Sequence, residues 1–118
     1  MEGNPGGRVD PVAGVDRADG RVVVHLAGEL DLYNAHEVRE ALLACCDEEP
    51  DRLVVDLAEV EFVDSTALGV LVEARSRMAD RQAFALAAPG PEARRALEVS
   101  GLDKHFTVAA SVEDALAS

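Results

Sequence analysis

The sequence predicts an α/β domain built on a mixed, mostly parallel sheet. Short β-branched runs alternate along the chain with stretches whose apolar residues recur every three or four positions. That alternation is the pattern of parallel strands joined by right-handed helical crossovers. Asp19-Gly20, between two early strand-like runs, adds one antiparallel hairpin, because Asp-Gly suits the positive φ angles of tight turns. A chain of 118 residues, 48% of them hydrophobic, is long enough for one core without a metal or disulfide staple.

Met1 to Arg8 is rich in Gly, Pro, Asn and charge and reads as a flexible tail, which leaves 9–118 as the domain. Val12–Asp16 is a short strand. Arg21–Ala27 (RVVVHLA) is a β-branched central strand ended by Gly28-Glu29-Leu30-Asp31. The period then changes: Leu32, Ala35, Val38, Leu42 and Cys45 share one helical face, with Asp31 or Asn34 as its cap. Asp47-Glu48-Glu49 and Pro50 stop that helix. Arg52–Leu57 is a second buried strand and Ala58–Asp64 a loop. Ser65, Leu68, Val72, Arg75 and Met78 then mark a second helix. Gln82–Ala87 is a third buried strand, broken by Ala88-Pro89-Gly90. Pro91 opens a short helix that Ser100-Gly101 closes. Phe106–Ala109 is an edge strand, and Ser111 with Asp114 forms a capping box for a last helix.

Composition excludes several functions. With 11 basic and 23 acidic side chains the formal net charge is −12, a field that repels a phosphate backbone. Tyr33, Phe62, Phe84 and Phe106 are the only aromatics, so base stacking has little to work with. Direct nucleic-acid binding is therefore not expected. No apolar run approaches the ~20 residues that span a bilayer, and MEGNPGGRVD lacks the apolar core of a signal peptide. A cytoplasmic protein without membrane insertion is expected. Phosphate-cradling glycine motifs are missing, and His25, His36 and His105 have no metal-ligand spacing. The adjacent Cys45 and Cys46 read as a buried small hydrophobe and a bystander. No cofactor or metal is expected.

One segment carries chemistry: a strand runs into Asp64-Ser65-Thr66, which opens a helix. The plain reading is a cap, since helix starts leave backbone N–H groups unpaired. The functional reading uses the same physics. A helix N-terminus offers positive potential and free donors, and a serine there stands at the working edge of an α/β sheet. A phosphate on it adds about −1.5 to −2 charges, which Asp64, Asp31 and Glu29 oppose if the two loops lie side by side. A catalytic serine needs a base and an oxyanion hole. Asp-Ser-Thr-Ala-Leu-Gly is not the Gly-x-Ser-x-Gly elbow, and His105 is the sole later histidine, so an enzyme is not expected.

The chain resembles the STAS domain, named for sulfate transporters and anti-sigma factor antagonists. Gly28-Glu29-Leu30-Asp31, Val55-Asp56-Leu57 with Phe62-Val63-Asp64-Ser65, and Ser65-Thr66-Ala67-Leu68-Gly69 carry the resemblance, in order, from about Val12 to Ala117. It implies a β–α superhelix with helices mainly on one face of the sheet. It also implies a bacterial antagonist that binds an anti-sigma factor, itself a serine kinase of the GHKL type, and so releases a sigma factor. The kinase would inactivate it by phosphorylating Ser65, with Thr66 the lesser acceptor, and a PP2C-like phosphatase would reverse this. The implied partner surface is Asp31, Leu32, Tyr33, Asn34, Asp64, Thr66 and Leu68. Ala67 and Thr66 stand where many members have Gly and Ser, which stiffens the helix start. The alternative reading is a STAS subunit of a lipid-transport ATPase or a stress-signalling complex. Strands that look buried on both sides imply that the helices wrap further, or that the second face meets a partner or another copy in a weak homodimer.

Overall fold

The structure is a computed structural model in which residues 9–117 are described; the tail expected over residues 1–8 lies outside them. Five strands and four helices form the described part, in the expected order: β1 Val12–Ala18, β2 Arg21–Leu30, α1 Ala35–Asp47, β3 Arg52–Val63, α2 Ser65–Arg77, β4 Phe84–Ala87, α3 Pro91–Ser100, β5 Thr107–Ala109 and α4 Val112–Ala117. The sheet order is β1-β2-β3-β4-β5. β1 runs antiparallel to β2 through the Asp19-Gly20 turn, and every later pairing is parallel.

Three strands are longer than expected, β1 by only two residues, to Ala18. β2 continues through Gly28-Glu29-Leu30, and β3 runs straight through Ala58–Val63, which the spacing had assigned to a loop. Ala27 pairs with Glu59, Gly28 with Val60, Glu29 with Phe62 and Leu30 with Val63, across two register shifts. Each extra residue at a bulge breaks the strict alternation of apolar and polar side chains, so the segment loses its strand signature while keeping its partners. Gly28, with φ of 76°, accommodates this where a β-branched residue could not.

The helices also differ in detail. α1 starts at Ala35, not Leu32, which stands exposed in the preceding turn. Asn34 occupies the cap position but makes no capping bond with its side chain, and Asp31 lies outside the helix. In α2 the buried residues are Ala67, Leu68, Val70, Leu71 and Ala74, whereas Ser65 and Val72 face water. A 3₁₀ turn at Arg81–Ala83 replaces the start of the third predicted strand. The closing signals behave as expected: Gly101 ends α3 with φ of 78°, and the Asp114 amide donates to Ser111 Oγ at 3.0 Å.

Helices α1, α2 and α3 cover one face. Val22, Val24, Leu26 and Leu30 of β2 and Leu53, Val55, Leu57, Val60 and Val63 of β3 meet Val38, Leu42, Leu68, Leu71 and Leu97 there. Burying one such side chain contributes about 1.5–3 kcal/mol. The strand residues that point the other way form a second cluster, where Val23, Val54, Ala85 and Ala87 lie under Ala115 of α4. Small residues on both sides let a six-residue helix sit close to the sheet. This second cluster explains why the central strands read as buried on both sides: one short helix covers part of the second face. Cys45 and Cys46 are both buried free thiols, so neither is a bystander; Cys46 Sγ donates to the Ala74 carbonyl at 3.3 Å.

Elsewhere on the second face a polar seam crosses three strands. His25 Nδ1 lies 2.7 Å from Asp56 Oδ2 and His25 Nε2 lies 2.8 Å from Asp16 Oδ2. The hydrogen bond to Asp56, then that to Asp16, raises the His25 pKa above its usual value. Below about pH 6.5 the imidazolium exists folded and unfolded alike, and the seam contributes in full. As pH rises through the raised folded-state value, that contribution is lost. Urea midpoints measured from pH 6 upward are expected to fall more steeply for the wild-type chain than for His25→Gln; parallel profiles would contradict the assignment.

Candidate functional site

The site grows from the β2–β3 register. Leu30 and Val63 are partners in parallel strands, so the chain leaves both at the same edge. The residues that follow, Asp31 to Asn34 and Asp64 to Thr66, are thereby neighbours across 32 positions of sequence. Two bonds from Asp64 join them, and a third caps α2. Its amide donates to the Leu30 carbonyl at 3.0 Å, its Oδ1 accepts from the Ala67 amide at 2.9 Å, and its Oδ2 accepts from the Leu32 amide at 3.0 Å. One carboxylate thus caps α2 and holds the neighbouring loop.

That loop is braced from within. Asp31 Oδ1 accepts from the Tyr33 amide at 3.0 Å, a local Asx turn. Asn34 Oδ1 accepts from the Asp31 amide at 3.0 Å, and Asn34 Nδ2 donates to the Glu29 carbonyl at 2.8 Å. At 7% exposure Asn34 is the one buried polar residue among those described. Its side chain is spent on the loop, which explains why it does not cap α1. With the backbone so held, Leu32 and Tyr33 are turned outward at 65% and 78% exposure.

Ser65 is the first residue of α2, exposed, with no hydrogen bond to its hydroxyl among the described residues. Asp64 occupies the Ala67 and Leu68 amides, through its side chain and its carbonyl. The amides of Ser65 and Thr66 are left as donors at the helix mouth. The hydroxyl is therefore reachable, in a field where helix polarity opposes the carboxylates of Asp31 and Asp64. Thr66 is exposed beside it.

Not every expected surface residue belongs to the surface. Leu68 is 8% exposed and sits in the main core, and Asn34 is internal, so neither presents its side chain to a partner. Asp31 and Asp64 are half-buried. Sequence reasoning passed over Phe62, which is 46% exposed one residue before the buried Val63. Its signal was the inward Val63: strand alternation turns its neighbour outward. It also passed over the bracing role of Asn34, which no spacing rule reveals.

Comparison with known proteins agrees with this geometry. The STAS domain family matches residues 13–115. The chain is 34% identical over 98 residues to the anti-sigma-F factor antagonist RsfB of Mycobacterium tuberculosis, spanning 83% of this chain and 80% of the relative. It is 36% identical over 88 residues to the anti-sigma-B factor antagonist of Listeria monocytogenes, spanning 74% and 77%. The crystal structure of an anti-sigma factor antagonist from Mycobacterium paratuberculosis superposes with a TM-score of 0.82 at 35% identity, covering 87% of this chain and 88% of that one.

Removing the Asp64 side chain takes away a cap and the loop tether together. Asp64→Ala is expected to lower unfolding free energy by about 1–2 kcal/mol in urea titrations. It should also speed hydrogen exchange selectively at the Leu32 and Ala67 amides; unchanged exchange at Leu32 would show that the loop is held by other means.

Proposed function

The chain belongs to the STAS-domain family, and from that premise we infer that it acts as an anti-sigma factor antagonist switched by phosphorylation of Ser65. The observation that carries this reading is the exposed, unoccupied Ser65 hydroxyl at a helix mouth tethered to the outward-facing Leu32–Tyr33 loop. In the unmodified state the partner, an anti-sigma factor that is also a GHKL-type serine kinase, docks over Leu32, Tyr33 and the start of α2, and its sigma factor is released. Aromatic and aliphatic side chains held on a rigid loop make effective anchors, because little conformational freedom is lost on contact.

The switch follows from electrostatics. The Ser65 oxygen attacks the γ-phosphorus of ATP held by the kinase; the bond to ADP breaks, and the hydroxyl proton passes to a base on the kinase. The product carries about −1.5 to −2 charges beside Asp31 and Asp64. A partner covering the helix mouth must then desolvate a dianion among carboxylates, which weakens the complex without refolding the domain. A PP2C-like phosphatase restores the hydroxyl. The reading places the protein in the cytoplasm; among the described residues no helix is long and apolar enough to cross a membrane. Relatives at 34–36% identity are named anti-sigma factor antagonists, which favours this function over the lipid-transport and stress-complex alternatives.

Incubation with a candidate GHKL-type kinase and ATP, followed by mass spectrometry, is expected to place one phosphate on Ser65 and none on Ser65→Ala. Ser65→Ala should keep kinase binding, Thr66→Ala should still be labelled, and Ser65→Asp should bind at least about tenfold more weakly, or about 1.4 kcal/mol. Phosphate found elsewhere, with Ser65 unmodified, overturns the assignment.

A further inference from the structure

The second face of the sheet is covered by α4 over Val23, Val54, Ala85 and Ala87. Toward the carboxyl ends of β2 and β3 the same face presents exposed side chains among the described residues. Leu30, Val60 and Val63 lie in the main core, so their strand neighbours Glu29, Glu59 and Phe62 point the other way; Glu29 and Phe62 are register partners, as are Ala27 and Glu59. Phe62 is 46% exposed, and Glu29, Glu59 and Glu61 around it are exposed as well. Phe62 lies two residues before Asp64, whose carboxylate holds the Leu32 amide. Of the six large hydrophobic residues exposed among those described, Leu32, Tyr33 and Phe62 therefore gather at one end of the sheet.

Resting on the function inferred above, we propose that the partner surface does not stop at the helix mouth but extends to the exposed Phe62, which anchors a basic, apolar-bearing segment of the anti-sigma partner. Two observations select that occupant. Phe62 lies two residues before Asp64, which tethers the Leu32–Tyr33 loop, so a partner seated on the loop reaches the ring without a second binding event. The exposed neighbours Glu59 and Glu61 are acidic, in a chain of net charge −12, which attracts arginine or lysine and repels a second copy of this chain. Phe62 supplies the buried contact area, and Glu59 and Glu61 supply orientation and salt-dependent steering.

Titration calorimetry with the kinase that labels Ser65 tests this. Phe62→Ala is expected to weaken binding at least tenfold, Phe62→Leu to keep it within about threefold by preserving apolar bulk. The Glu59→Lys, Glu61→Lys double variant is expected to bind more weakly and to lose part of the salt dependence. Urea midpoints are measured for each variant alongside, so that a loss of binding is read on folded protein. If all three variants bind as the wild-type chain does while Ser65 is still phosphorylated, the extension is wrong and the function stands. If the wild-type chain neither binds the kinase nor takes phosphate on Ser65, both fall. Dimerisation in sedimentation runs that disappears with Phe62→Ala would assign the face to a second copy and overturn the proposal.

Discussion

The Asp64 carboxylate is the junction on which the site depends. One oxygen closes the first turn of α2 and the other holds the amide of Leu32, so the helix mouth and the loop beside it form one rigid surface. A capping residue ordinarily satisfies only its own helix. Here the second oxygen is available because two parallel strands deliver two loops to the same edge in register. The outward positions of Leu32, Tyr33 and Ser65 are consequences of that junction and of the Asn34 brace beneath it.

This arrangement suits a switch built on charge. A hydroxyl at the first helical position has unpaired amides next to it and carboxylates close by. Under the proposed phosphorylation it would pass from neutral to strongly anionic, while the backbone around it is held by bonds that a phosphate would not touch. A surface that changes charge without changing shape can be read by a partner in both states, and the difference between the states is the information it carries.

The rest of the fold supports that edge economically. Three helices bury one face of the sheet, and a single six-residue helix covers part of the other by packing alanine against alanine. Where no helix lies, the Asp16–His25–Asp56 seam crosses the sheet, and beyond it the described residues present acidic side chains and Phe62. A small domain that leaves an aromatic ring half exposed forgoes part of the about 1.5–3 kcal/mol that full burial contributes. Such a ring is better understood as contact surface than as unfinished core.

The order of elements, the hairpin, the Gly101 and Ser111 end signals and the Asp64-Ser65 helix start were legible in the sequence, because each rests on local chemistry or on a period within one element. The family likeness was legible for the same reason: its motifs are short runs at turns. What the sequence did not show was set by contacts between elements. Residues 58 to 63 belong to β3 because they find partners on β2 through bulges that erase alternation. Leu68 turns inward and Leu32 outward because neighbouring elements, and not helical spacing, decide which side of each residue is filled. The double use of Asp64 and the bracing by Asn34 join backbone groups that local pattern does not relate. Sequence alone determined which elements exist and where a helix-start hydroxyl sits along the chain. Tertiary structure decided which side chains meet the solvent around it, since burial and pairing are properties of neighbours in space.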